Sequence, residues 1–448
     1  MRRLIVLGHC LLTAAAGAQT PVGDPFPINE LTPGAQIGAD AARQPNRSFV
    51  VVWQSDAADG DGTAVRARLF SARGNPISSE FTVNETTVGN QWRPRVATDA
   101  LGNFVVVWIG PDQQDHAVFA RLFAADGAPL GREFQVNSQT PLVQPWVAVG
   151  RNGSGDFLVS WAARLSSEDV KAAAFDASGA VALPEFVVNT SGNYPSGGGV
   201  ASGMRSDGGF VVAWVGEHDA GGPGPTTDVF QRRFAADGSP LSGEFQLSDP
   251  GEGGAYYSIR PDVGVDESDN FLVVWHTQLN LAWGGVYGRR TDAGGATGPI
   301  KELAIESEDH TFSMAPTGDF VVVWHDYYPY GGEPRGDRFD PLGNHVATFA
   351  VPDTEDFSTL VHSSDNPSDF VLVRLVGPDW DLVGQRFGDV VFADGFESGD
   401  TSAWSGSTGE LAVSLTVASP LGSDTAGSSV PAPHPSGPSC PCRREAPW

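Results

Sequence analysis

The sequence predicts an all-β chain, a seven-bladed β-propeller of four-stranded antiparallel blades closed by its N-terminal strand, and three observations predict it. The first is the run Phe104-Val105-Val106-Val107-Trp108, which returns with small changes at 49–53, 157–161, 210–214, 271–275, 320–324 and 370–374, at intervals of 55, 53, 53, 61, 49 and 50 residues. The second is a fixed order of further segments around each copy. The third is a lone copy of the last of those segments ahead of the first unit.

Each element follows from its residue types. In a strand, alternate side chains point to opposite faces, so a run of Phe, Val and Trp is apolar on both and must be covered on both sides. A short segment precedes each run, such as Pro94-Arg95-Val96-Ala97 or Pro261-Asp262-Val263-Gly264, and supplies a first strand. After the run comes Val65-Arg66-Ala67-Arg68-Leu69-Phe70, with counterparts at 118–123, 170–175, 229–234, 286–291 and 382–387. Its mixture of Arg with Val and Phe is expected of a strand nearer to solvent. A reversal follows, as in Asp126-Gly127-Ala128-Pro129-Leu130, Gly74-Asn75-Pro76 and Asp237-Gly238-Ser239-Pro240, where Gly, Asn, Asp and Pro supply the angles of a turn. The segment beyond it, Glu80-Phe81-Thr82-Val83-Asn84 and its counterparts at 133–137, 185–189 and 244–248, pairs back as a fourth strand. Four antiparallel strands in about 50 residues, repeated, are the signature of propeller blades. The last unit runs into Asp389-Val390-Val391 without a fourth strand, and Pro25-Phe26-Pro27-Ile28-Asn29 near the start of the chain matches the missing one. Its pairing there would remove a free sheet edge. The propeller is thereby expected over residues 24–391.

The ends read differently. Residues 1–18 carry Arg2 and Arg3, an apolar run from position 4 to 12 and Ala16-Gly17-Ala18, the pattern of a secretory signal peptide cleaved after Ala18. A secreted or cell-surface location is expected, with no membrane span, because that run is short of the ~20 residues a span needs. Residues 405–448 are dominated by Ser, Gly, Thr, Ala and Pro and are expected to be disordered. Cys10 leaves with the signal, and Cys440 and Cys442 lie in that tail, so no disulfide braces the repeats. With 27 Lys and Arg against 54 Asp and Glu, the formal charge is −27. Such a surface repels phosphate backbones and anionic lipid, which excludes nucleic acid as a partner.

Residues 392–404, with Asp394-Gly395-Phe396-Glu397-Ser398-Gly399-Asp400, resemble a signature found near the C-termini of many exported bacterial proteins. The repeat, at its clearest over residues 104–137, is similar to repeats of large exported bacterial proteins that often stand beside calcium-binding or adhesin modules. The resemblance implies an extracellular binding or surface module.

In such a blade the loops before the first strand and between the second and third share one end of the sheet, and here they vary while the other turns are short and repetitive. Variable loops on a regular scaffold carry binding chemistry. Their aromatics, Trp92, Trp146, Tyr257, Trp283, Tyr328 and Trp380, are the candidate ligand-binding residues, since flat rings beside polar groups suit a sugar. The Trp that ends six of the seven Phe-Val runs, at 53, 108, 161, 214, 275 and 324, is read as packing. Asp56, Asp59 and Asp61 are the candidate Ca²⁺ ligands, although the bidentate Glu of a calcium loop is missing and a polar turn fits the same residues. His276 and His325 could share a metal with Asp326, but nothing supplies a further ligand at fixed spacing, and no motif selects a catalytic carboxylate pair. The Asp-Gly turns lack the residue order of sialidase repeats. The sequence thus points to a non-catalytic module with a glycan or a surface protein as partner. A polysaccharide-active hydrolase or lyase, and a purely structural repeat unit, are the alternatives.

Overall fold

A computed structural model of the chain describes residues 20–388 apart from loops at 57–58, 113–115, 139–145, 163–168, 191–193, 219–225, 249–255, 280–281, 327–333, 352–355, 363–367 and 378–379. The chain divides into two units, Met1–Ala393 and Asp394–Trp448, and every described residue belongs to the first. The expected signal peptide, the 392–404 segment and the tail with Cys440 and Cys442 lie outside the described residues.

Two short strands, β1 (Thr20–Pro21) and β2 (Phe26–Pro27), precede a four-stranded sheet of β3 (Gln36–Arg43), β4 (Phe49–Asp56), β5 (Thr63–Phe70) and β6 (Phe81–Thr82), paired in that order. The same order recurs in β7 (Trp92–Thr98), β8 (Phe104–Pro111), β9 (His116–Phe123) and β10 (Phe134–Gln135), and in β11 (Trp146–Arg151), β12 (Phe157–Ala162), β13 (Val170–Phe175) and β14 (Val181–Val187). It recurs again in β15 (Tyr194–Met204), β16 (Phe210–His218), β17 (Thr226–Phe234) and β18 (Phe245–Gln246). Next come β19 (Tyr256–Val265), β20 (Phe271–Leu279), β21 (Ala282–Thr291), β22 (Lys301–Met314), β23 (Phe320–Asp326), β24 (Pro334–Phe339) and β25 (His345–Ala350). Here β22 pairs with β21 through its first half and with β23 through its second, so one strand ends one set of four and opens the next. The last sheet is β26 (Asp356–His362), β27 (Phe370–Val376) and β28 (Asp381–Gly388), with β1 and β2 both antiparallel to β28. All of these pairings are antiparallel except one bridge, Thr227 to Tyr257, and no helix occurs among the described residues. Successive four-stranded antiparallel sheets of this kind are β-propeller blades.

The Phe-Val strands are buried on both faces, as their composition demands, and Trp53, Trp108, Trp161, Trp214 and Trp275 are among the largest fully buried side chains. Each core cluster lies between two neighbouring sheets: Val52 of β4 with Val106 of β8, Val107 with Val159 of β12, Val274 of β20 with Val322 of β23. A cluster of the same kind joins Phe49 and Trp53 of β4 to Val371 and Val373 of β27, with Ile28 filling its edge. Each fully buried Val or Phe contributes about 1.5–3 kcal/mol, and this recurrent burial is the main source of stability.

Two repeated side chains staple the sheets. The Asn that ends the fourth segment accepts a backbone N–H from the third strand: Val65 to Asn84 at 2.9 Å, Val118 to Asn137 at 2.8 Å and Val170 to Asn189 at 2.8 Å. Asn29 does the same for Leu382 at 2.7 Å, which places the segment around Ile28 against β28 in the register of a fourth strand. The arginines of the third strands reach the preceding sheet. Arg68 donates to the Ile28 carbonyl at 3.0 Å, Arg121 to Val83 at 2.8 Å and Arg232 to Val188 at 2.7 Å. This corrects the expectation that the third strand lies nearer to solvent. Arg66 and Arg68 are only 8% and 7% exposed: Arg66 pairs with Glu80 beside β6 of its own sheet, and Arg68 reaches across to the Ile28 carbonyl and the Glu30 carboxylate.

Candidate functional site

The first strands carry the irregularity that builds the site. Their register slips at one place, between Ile37 and Asp40 in β3, Trp92 and Arg95 in β7, and Ile259 and Asp262 in β19. Such a bulge leaves residues unpaired and re-aims side chains. Its first unpaired residue has left-handed backbone angles, filled by Gly38 (φ 62°) in β3 but by Arg93 (φ 53°) in β7 and Arg260 (φ 54°) in β19. A non-glycine residue there costs about 1–2 kcal/mol, and strain of this kind gathers at functional sites.

Beside the β7 bulge opens a cleft of about 290 Å³ lined by Gln54, Thr63, Asn90, Trp92 and His116. Gln54 and Thr63 flank the loop between β4 and β5, Asn90 precedes β7, and Trp92 and His116 begin β7 and β9, so the cleft lies at the variable-loop end expected from the sequence. The His116 ring meets Trp92 edge-on at 5.8 Å. The Arg93 guanidinium carbon lies 4.9 Å from the Trp92 ring centre and 3.9 Å from that of Trp146, a cation–π ladder that joins two sheets. Burial, with the nearby Arg95 charge, lowers the Arg93 guanidinium to about 10. Thr63 is held by Asn90 Oδ1 on its N–H (3.1 Å) and donates its hydroxyl to the Gln91 carbonyl (2.9 Å). A half-exposed indole braced on one side, with amide side chains around it, can stack on an apolar ligand face and hydrogen-bond its hydroxyls.

Of the predicted aromatics, Trp92 and Trp146 come together through Arg93. Tyr257 is the second residue of β19 and is 37% exposed, and Trp380 stands in the turn before β28, 51% exposed with φ 57°, its carbonyl accepting the Gln36 N–H at 3.1 Å. Neither lines the cleft. Trp283 lies on β21 with its side chain outside the described residues, and Tyr328 is outside them altogether. The predicted calcium ligands turn to separate partners. Asp56 accepts from the Ala35 N–H (3.2 Å), Asp59 from Asn84 Nδ2 (2.8 Å) and Asp61 from the Gly89 N–H (3.3 Å). No group of three metal-ligating side chains occurs among the described residues. His276 is buried, with Nε2 2.8 Å from the Ser307 carbonyl oxygen.

A polar layer escaped the sequence reading. Asp40, Arg95 and Asp262 each follow the bulge of a first strand and pair with the last Val of the adjoining run: Val52, Val107 and Val274. Thr359 of β26 holds the same position opposite Val373. Burial pushes the Asp262 carboxyl up to about 7, the Asp40 charge adds to the rise, and the Val263 N–H at 2.8 Å and Arg95 oppose it. Burial likewise raises Asp40, against Arg95 and the Val96 N–H it accepts at 2.9 Å. The Asp262 side chain is exposed to solvent by area although protein surrounds it densely. Position after a bulge is the shared signal, and the bulge itself was not legible.

No family model and no curated protein matches the chain. Solved structures do. An ulvan lyase, a polysaccharide lyase bound to -[GlcA(1-4)Rha3S]-, is 11% identical, with a TM-score of 0.50 over 82% of this chain and 94% of that one. The β-propeller domain of the Trilobed protease from Pyrococcus furiosus is 9% identical at a TM-score of 0.46, over 81% of this chain and 97% of that one. An α-L-arabinanase from Penicillium chrysogenum complexed with arabinobiose is 10% identical at 0.46, over 82% and 99%. At such identities the likeness is one of fold.

Proposed function

We propose that the chain is a secreted seven-bladed β-propeller, closed by its own N-terminal strand, that acts as a carbohydrate-binding module through the Trp92 cleft. The observation that carries the binding reading is the Trp92 platform, braced by Arg93 against Trp146 and edged by His116, Gln54 and Asn90. The blade count and the closure draw support from the recurrence of the Phe-Val strand and from the Asn29 and Ile28 bonds to β28. The leader pattern of residues 1–18 supports secretion. Calcium held by Asp56, Asp59 and Asp61 belongs to the same proposal as a structural support of the adjoining loop.

A glycan and polysaccharide binding screen, run with Ca²⁺ and again with EDTA, tests it. Trp92→Ala should weaken saturable binding about tenfold, since a ring stacked on a ligand is worth about 1.4 kcal/mol, and Trp146→Ala, which removes only the brace behind Arg93, should weaken it less. Loss in EDTA would assign calcium a role. No binding in either buffer would sink the lectin reading and leave a structural unit.

A second reading, a polysaccharide hydrolase or lyase, draws on one observation. A carboxyl near 7 suits general acid–base work, and Asp262 has one beside Asp40 and Arg95. If it holds, polymers that bind should release reducing or unsaturated ends, and Asp262→Asn should abolish release while binding survives. Binding without product would exclude it.

A further inference from the structure

We infer that the saccharide taken by the cleft is a neutral one, read through an unsubstituted hydroxyl by Asn90 and Thr63; the inference rests on the carbohydrate reading above. Both residues line the cleft. Each has its hydrogen-bonding direction fixed before a ligand arrives. Asn90 Oδ1 accepts the Thr63 N–H at 3.1 Å, so Nδ2 is the end left over, and no partner holds it among the described residues. That nitrogen can only donate. Thr63 spends its hydroxyl hydrogen on the Gln91 carbonyl at 2.9 Å and is left with acceptor lone pairs alone. A lone donor beside a lone acceptor suits one kind of group. A hydroxyl both accepts and donates, whereas the oxygens of a carboxylate or sulfate only accept and an ammonium only donates. The Gln54 amide, also without a partner among the described residues, offers one more donor and acceptor to a further hydroxyl.

The pair is held rigidly. Gln91, 1% exposed, donates its N–H to the Thr63 carbonyl at 2.9 Å, and its side chain bridges Asn84 Nδ2 (3.2 Å) and the Val88 carbonyl (3.1 Å). Asp61 accepts the Gly89 N–H at 3.3 Å, and Gly62 comes so close to the Gly89 carbonyl that a Cβ there would lie 2.4 Å from it. The loop before β5 is thereby zipped to the loop before β7, and a preorganised pair loses little entropy when a ligand docks. The charge of the whole molecule acts in the same direction, since at −27 it repels polyanions at long range and leaves neutral polymers unopposed.

The full chain would be titrated with dextran, arabinan, galactomannan and xyloglucan, with the per-O-methylated form of each, and with dextran sulfate and polygalacturonate. At least one neutral polymer should bind, and its methylated form and both polyanions should bind about tenfold more weakly or worse, as expected where a polar group of the site is left unpaired. Asn90→Asp keeps Oδ1 for the Thr63 N–H and should fold, with a urea midpoint near that of wild type, yet it exchanges the donor for an acceptor and should weaken that neutral binding about tenfold. Thr63→Val should weaken it similarly, and Thr63→Ser, which restores the hydroxyl, should stay within about twofold of wild type. Equal binding of a methylated polymer, a preference for either polyanion, or full affinity in both Asn90→Asp and Thr63→Val beside a loss in Trp92→Ala would overturn the inference and leave the carbohydrate reading standing. Binding of no polymer, here and in the wider screen, would overturn both.

Discussion

Asn29→Ala tests whether the N-terminal segment is an integral strand of the last sheet. Asn29 accepts the Leu382 N–H at 2.7 Å and donates through Nδ2 to the Leu31 carbonyl (2.9 Å) and Asp381 Oδ1 (2.7 Å). It is 5% exposed, so alanine leaves the Leu382 N–H without its acceptor where water reaches poorly. An orphaned buried donor costs about 1–3 kcal/mol, and the lost Nδ2 bonds add up to about 1 kcal/mol, so a destabilisation of about 1–4 kcal/mol is expected. The internal standard is Asn84→Ala, since Asn84 makes the same bond to Val65 at 2.9 Å and is 4% exposed. Urea unfolding followed by tryptophan fluorescence should give the two variants equal losses within about 0.5 kcal/mol, with an unchanged slope against denaturant. A loss below about 0.5 kcal/mol for Asn29→Ala beside a full loss for Asn84→Ala would refute the reasoning, because the segment would then leave β28 at little cost.

Gly384→Ala perturbs the same seam by packing. A Cβ there would lie 2.4 Å from the Phe26 ring, which must swing off β28, so about 1–3 kcal/mol should be lost in the same urea assay; an unchanged midpoint would mean that Phe26 does not seat there. Asp262 predicts a pH dependence. Its folded value near 7 stands above the ordinary 3.8, so its contribution to stability is full below about pH 4 and is lost as pH rises through 7. Asp262→Asn should therefore be more stable than wild type at pH 8, with a flatter stability profile between pH 4 and 7, and an unaltered profile would show that Arg95 already neutralises the Asp262 carboxylate.

How much of this was legible before the structure follows the physics of repetition. A Phe-Val run apolar on both faces admits one solution, a strand covered on both sides, and it recurs often enough to dictate the sheets, their turns and the packing Trp of six units. The fourth segment at Pro25-Phe26-Pro27-Ile28-Asn29 could be matched to β28 because Asn29 ends it as Asn84 ends its counterpart. In the stretch around β22 the turn residues Asp292 and Gly295 recur but the fourth segment does not, and only pairing revealed one strand serving two sets of four. Trp92 and Trp146 were visible as loop aromatics, yet 54 positions separate them, and Arg93 between them is unremarkable in the sequence. Contacts between sheets depend on register and on bulges, which composition does not encode. The same holds for the buried arginine staples and for Asp40, Arg95 and Asp262. The sequence by itself determined the unit and its repetition, because burial of both strand faces is local chemistry. Only the tertiary structure decided which residues of different units meet, because one slipped register in a first strand carries a side chain from one face to the other.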